Sequence, residues 1–271
     1  MPTVRDYQDA SSLFTEVEGI RVHYKREGCG PVMVLLHGSG SSLHCFDEVV
    51  PRLAGAFEVI RLDLPGAGLT DPRRDRDYRI ETYVRFLDNF TQALSINRFS
   101  LGGNSLGGNI AWCFALDCPH KVENLLLMNA TGYPGKKLPL AMRLAKSSIG
   151  RFILRSMISK PATKKNLRKL VGARMGDVPD AMVDRVYTLM AEPANKQAFI
   201  DLARTNQRDR SLEIKNIVNP TIIMRGESVD GQHFARDIKN SRDILLPGVG
   251  NLIPEEAPGE IADAVIKGFA K

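Results

Sequence analysis

Short, unbroken apolar runs recur along the chain, at 31–37 (PVMVLLH), 57–63 (FEVIRLD), 99–104 (FSLGGN), 122–129 (VENLLLMN), 220–226 (PTIIMRG) and 241–248 (SRDILLPG). Strands buried on both faces read this way, because neither face requires a polar alternate. Between the runs, apolar positions recur at helical spacing. Tyr83, Phe86, Leu87, Phe90 and Leu94 share one face of 80–95, and LGGNIAWCFAL and EIADAVIKGFA supply two further helices. The alternation predicts an α/β fold with a mostly parallel, twisted sheet and helices on both faces. The opening LFTEVEGIRVHYKREG, with Glu18-Gly19 between two alternating stretches, predicts an antiparallel hairpin at the sheet edge.

The strand rhythm stops between Tyr133 and Asn216. There LPLAMRLAKSSIGRFILRSMISK predicts amphipathic helices with Leu140, Leu144, Phe152, Ile153 and Met157 as apolar contacts, and VPDAMVDRVYTLMAE and NKQAFIDLARTN add two more. The expected organisation is a core of residues 1–132 and 217–271 with a helical cap inserted at 133–216.

Charge changes this picture in one place. The chain carries 37 Lys and Arg against 31 Asp and Glu, a net +6. Twelve of the basic residues, and no acidic one, lie between Tyr133 and Gly176, which leaves 37 − 12 = 25 basic against 31 acidic residues elsewhere. The plain explanation is the solvated outer face of the cap helices. The functional alternative is docking of an anionic partner: an acyl-CoA phosphate, an acidic carrier protein or a membrane surface. Nucleic acid is disfavoured, because the segment has few aromatics on which bases stack.

The four cysteines form no CxxC pair and have no metal-knuckle spacing to a histidine, so reduced thiols are expected and neither metal nor cofactor. No run approaches the ~18 apolar residues of a membrane span, and the N-terminus lacks the pattern of a signal peptide, so a cytoplasmic protein without a transmembrane segment is expected.

Three glycine-rich turns follow three of the strands: HGSG at 37–40, DLPGAGLTD at 63–71 and GNSLG at 103–107. The third fits G-x-S-x-G between a strand and a helix, the context of a nucleophile elbow with Ser105 at its tip. A helix starting near Leu106 favours negative charge developing there. None of the loops is G-x-G-x-x-G, since Leu43 and Asp71 stand where a third glycine belongs, so a dinucleotide site is not expected.

With these motifs the chain resembles α/β-hydrolases of the epoxide hydrolase, haloalkane dehalogenase and meta-cleavage hydrolase type, from about Leu13 to Phe269. The resemblance implies an oxyanion hole formed by the N–H groups of Ser39 and Leu106, with Ser105 as nucleophile. It also exposes departures. The relatives carry an acid after the strand written PTIIMRG; here GESVDGQHFARDI reads as a shortened loop, with Val229 in the acid's place and Asp230 one position late. An alternative acid ends the strand LLLMN, where this chain has Asn129. The histidine of GxGH is Asn251 in GVGN.

An amide takes no proton at neutral pH, so the base expected for Ser105 is missing. His37, with Gly38 and Gly40, belongs to the HGSG turn and is expected to brace it. His44 lies just beyond and borders the pocket or serves the surface; His233 follows the shortened loop as a weak substitute base. Three functions follow. The first is an enzyme that polarises the carbonyl of a hydrophobic small molecule and promotes rearrangement, cyclisation, elimination or slow acyl chemistry. The others are a catalytically inactive receptor that keeps the cavity, and a serine esterase whose base has been substituted.

Overall fold

The computed structural model describes residues 2–134, 147, 150, 158–227 and 232–270. Leu140, Leu144, Phe152, Ile153, Met157 and Asp230 therefore lie outside the described residues. Eight strands form one sheet in the order β1-β2-β4-β3-β5-β6-β7-β8. The hairpin β1 (Leu13–Val17) and β2 (Ile20–Gly28) is antiparallel, and β2 runs antiparallel to β4 (Glu58–Leu62). All later neighbours are parallel: β3 (Val32–Leu36), β5 (Phe99–Asn104), β6 (Val122–Met128), β7 (Thr221–Gly226) and β8 (Ser241–Leu246).

The unbroken apolar runs are explained by the pleat. In β3, Val34 and Leu36 join one core with Phe86 and Phe90 of a helix over Ile80–Ala93 and Ile110 and Phe114 of another over Leu106–Asp117. Met33 and Leu35 point the other way, into a second core with Ile261 and Val265 of the helix over Pro258–Phe269. Among the described residues the α-helices, in chain order, are α1 (Val50–Leu53), α2 (Ile80–Ala93), α3 (Leu106–Asp117), α4 (Lys160–Leu170), α5 (Asp180–Ala191), α6 (Pro193–Arg204), α7 (Phe234–Asp237), α8 (Ile253–Glu256) and α9 (Pro258–Phe269).

Between β6 and β7 the described chain contains no strand. Helix α4 is one that apolar spacing did not reveal: of KPATKKNLRKL only Leu167 is buried. It is started instead by Ser159, whose hydroxyl accepts from the Ala162 N–H, and by Pro161 in its first turn. Leu167 packs with Val178, Met182 and Val183, and with Leu252 after β8.

The basic stretch is partly neutralised by acidic side chains that follow it in the chain. Lys160 pairs with Asp184, Lys164 with Asp180 at 2.8 Å, Arg168 with Asp177 at 2.9 Å and Arg174 with Glu260 at 2.5 Å. Such pairs contribute little stability, but they reduce the field available to an anionic partner. Among the described residues no helix is long and apolar enough to cross a membrane, and no cluster suited to a metal ion occurs.

Candidate active site

Strand β5 ends at Asn104 and α3 begins at Leu106, leaving Ser105 alone in the turn with φ 52° and ψ −110°. That left-handed conformation is costly for a residue with a Cβ and persists only where the surroundings enforce it. Here two glycines do so. A Cβ on Gly103 would lie 2.2 Å from the carbonyl carbon of Gly107, and one on Gly107 would lie 2.2 Å from the Leu36 carbonyl oxygen. The turn is anchored by the Ser105 N–H, which donates to Met128 O at 2.9 Å, and by the Ser105 carbonyl, which accepts from Asn109 N at 3.0 Å. Leu106 begins α3, so its N–H has no acceptor within the helix.

The HGSG turn lies alongside. A Cβ on Gly38 would be 3.4 Å from both the Ser105 Cβ and the Asn104 amide nitrogen. Asn104 was not singled out by its sequence, yet it is 5% exposed and its Oδ1 has no hydrogen-bond partner. An unsatisfied buried acceptor is uncommon, and this one adjoins the elbow. Only the position before Ser105 in G-x-S-x-G hinted at it.

His37 has both ring nitrogens engaged. Nδ1–H donates to Gly38 O at 2.7 Å and Nε2 accepts from the Leu64 N–H at 3.0 Å. This fixes the neutral tautomer, and complete burial pushes the imidazole's pKa down. The ring ties the turn after β3 to the turn after β4 and has no lone pair left for Ser105. His44 sits in a short 3-10 turn, with Nε2 3.0 Å from Tyr7 O and Nδ1 3.2 Å from the Asp47 carboxylate. It lines a different cavity, with Cys45, Arg185 and Glu255. His233 stacks edge-on against Tyr133 and lines a third, with Lys215 and Arg236. The structure therefore gathers His37, Gly38, Ser39, Gly40 and Leu106 around one cavity and leaves His44 and His233 in others.

The two amides at the expected acid and base positions lie in one backbone junction. Asn129 is buried, with φ 41°; its Oδ1 accepts from Gly226 N at 2.8 Å and its Nδ2 donates to Gly250 O at 2.9 Å. It thus joins the end of β7 to the loop after β8. On the same loop, Asn251 donates its N–H to Leu170 O at 2.6 Å. Glu256 accepts from Gly172 N at 2.6 Å, Gly250 N at 3.0 Å and Leu252 N at 3.1 Å. Gly172 is glycine for contact reasons, since a Cβ would lie 2.2 Å from Gly248 O. The segment 170–172 is thereby pinned, backbone on backbone, over the loop that carries Asn251. Among the described residues no hydrogen bond connects Asn251 or Asn129 to Ser105.

The cavity at the elbow encloses about 30 Å³ and is walled by His37 to Ser41, Leu64 to Gly68, Leu106 and the apolar side chains Met190 and Phe199 of α5 and α6. That is room for about one water molecule. Tyr78 and Tyr83 also face it, and burial holds their phenols well above the usual tyrosine range, to about 12 for Tyr78.

The chain matches the alpha/beta hydrolase fold family over residues 31–253 and belongs to it. It is 36% identical over 225 residues to the 2-hydroxy-6-oxo-2,4-heptadienoate hydrolase of Pseudomonas putida, covering 77% of this chain and 75% of that one. It is 31% identical over 241 residues to the 2-hydroxy-6-oxononadienedioate/2-hydroxy-6-oxononatrienedioate hydrolase of Paraburkholderia phymatum, covering 83% and 81%. An uncharacterized protein of Mycobacterium tuberculosis is 32% identical over 205 residues; the match covers 72% of this chain but 59% of that longer relative. Among solved structures, the meta-cleavage product hydrolase of Pseudomonas fluorescens superposes with a TM-score of 0.80 at 20% identity, covering 95% of this chain and 97% of that one, a likeness of fold.

Proposed function

We propose that the chain is an enzyme that holds the carbonyl oxygen of an apolar small molecule on the N–H groups of Ser39 and Leu106, and transforms it without a Ser–His–acid relay at Ser105. The observation that carries this reading is the junction around Asn129 and Asn251. One amide is committed on both sides to main-chain groups, and the other supplies no basic nitrogen. What remains is electrostatic. Two donors aimed at a developing oxyanion are worth roughly 10²- to 10³-fold each when preorganised. Such polarisation serves those rearrangements, cyclisations, eliminations or slow acyl transfers in which negative charge builds on the carbonyl oxygen.

The relatives support a carbonyl substrate, being named for 2-hydroxy-6-oxo acids with one or two carboxylates, in which a ketone lies on an unsaturated carbon chain. The apolar walls suit the hydrocarbon part of such a molecule, but the cavity admits only its carbonyl group. Binding therefore requires Met190 and Phe199 of the cap to move aside.

The reading is tested by amide NMR of the 15N-labelled protein titrated with an apolar methyl ketone and with the alcohol of the same carbon skeleton. The Ser39 and Leu106 amide protons move downfield, saturably, with the ketone and not with the alcohol. Unmoved amides, or equal shifts with both ligands, overturn the oxyanion-hole assignment.

A further inference from the structure

The elbow has a serine and a free helix-start N–H without a base. At the same end of the sheet, on β2 and the turn after β4, the complement is found. His23 of β2 is fully buried, and its Nδ1 lies 2.8 Å from the fully buried Asp63 carboxylate. Its Nε2 lies 2.9 Å from the hydroxyl of Ser12, just before β1. Asp63 also accepts from Leu43 N at 2.7 Å and Leu69 N at 2.9 Å.

The proton positions follow from these partners. Burial raises the pKa of Asp63, but the hydrogen bonds from His23 and from the Leu43 N–H lower it and bring it below the ordinary value. The carboxylate is an acceptor only, so a proton of His23 lies on Nδ1, and in the neutral imidazole Nε2 presents a lone pair. Ser12 must then be the donor in its bond to His23. Its oxygen accepts from Asp9 N at 3.1 Å, which leaves a further lone pair on a half-buried side chain reachable from solvent. Hydroxyl to Nε2 and Nδ1–H to a buried carboxylate is the order of groups that activates a serine.

The geometry points to Ser12 as a covalent modification site for activated acyl and phosphonyl donors, with His23 as its base and Asp63 orienting the imidazole. In the step, Ser12 Oγ bonds to the electrophilic carbon or phosphorus and its proton passes to His23 Nε2. The bond to the leaving group, fluoride or an aryl oxide, breaks and takes the electron pair. No second activity of the hydrolase kind is implied. The neighbouring N–H groups are already used, Ser12 N on Asp9 O at 3.0 Å and Ser11 N on the Asp9 carboxylate at 2.9 Å, so an oxyanion has no waiting donors. Modification is therefore stoichiometric and restricted to donors with good leaving groups. The site is independent of the reading given for Ser105.

The test is intact-mass analysis after incubation with an alkyl fluorophosphonate, with peptide mapping, on the full chain and on Ser12→Ala and Ser105→Ala. One adduct is expected, mapped to Ser12, retained in Ser105→Ala and absent from Ser12→Ala. His23→Gln slows labelling about 100-fold, the scale of losing a positioned base. Should that variant fail to fold, mapping of the unaltered chain decides alone. Absence of any adduct, or an adduct confined to Ser105 or to the adjacent Ser11, overturns the assignment.

Discussion

Replacing Asn129 by aspartate lowers the unfolding free energy by about 2 to 3 kcal/mol at pH 7, the scale of a buried acceptor left facing another acceptor. The carboxylate keeps the bond from Gly226 N but cannot donate to Gly250 O, which lies 2.9 Å from the present Nδ2. Aspartate tolerates the φ of 41° about as well as asparagine, so backbone strain does not contribute. The deficit has a pH signature. The introduced carboxyl regains a donor when protonated, so its folded pKa is raised, the native state binds the proton more tightly, and stability recovers as pH falls. Urea denaturation of Asn129→Asp at pH 7 and pH 5 checks this. Stability equal to that of the unaltered chain at pH 7 would mean that the position is free to hold a catalytic acid.

Replacing Glu255 by glutamine raises stability at pH 8 and flattens its dependence on pH. Glu255 in α8 is held by Arg185 of α5 at 3.2 Å, and Arg185 also donates to His44 O at 3.0 Å, so the pair ties α5 to α8 and to the turn at His44. Burial pushes the Glu255 carboxyl up to about 7; the Arg185 charge works against this and Glu256 and Asp47 reinforce it. The folded value exceeds the ordinary 4.5, so between those two pH values the native state holds more proton than the unfolded chain. Stability from this group is therefore present at low pH and lost as pH rises towards 7, by roughly 3 kcal/mol in total. Glu255→Gln removes the titration while keeping an acceptor for Arg185. Urea denaturation from pH 5 to pH 8 shows the difference between the two proteins growing with pH. A difference that shrinks with rising pH would mean that the charged pair stabilises the seam.

These residues also mark where the sequence was legible. The strands and α2, α3 and α9 were readable because burial on both sheet faces and helical spacing leave patterns within one element. Helix α4 was not, because it is set by a cap and a proline at its start rather than marked by an apolar stripe. The elbow was readable from Gly103 and Gly107, whose contacts forbid a side chain. The substitutions at Asn129 and Asn251 were readable as missing chemistry. Their physical role was not, because it consists of bonds to Gly226, Gly250 and Leu170, far apart in the chain. The same holds for His23 of the edge hairpin, whose partner Asp63 lies 40 residues on. His44 looked like a surface or pocket residue, and its burial depends on Tyr7 and Arg185, which no local spacing connects to it.

The measurement that bears most directly on the elbow is steady-state hydrolysis of a p-nitrophenyl butyrate ester by the unaltered chain and by Ser105→Ala. Without a base for Ser105, the two turn over at rates within about tenfold of each other, neither exceeding the roughly 10³- to 10⁴-fold acceleration that a binding site and oxyanion donors provide without a triad. A loss of a thousandfold or more in Ser105→Ala would show Ser105 to be an activated nucleophile and would contradict the account.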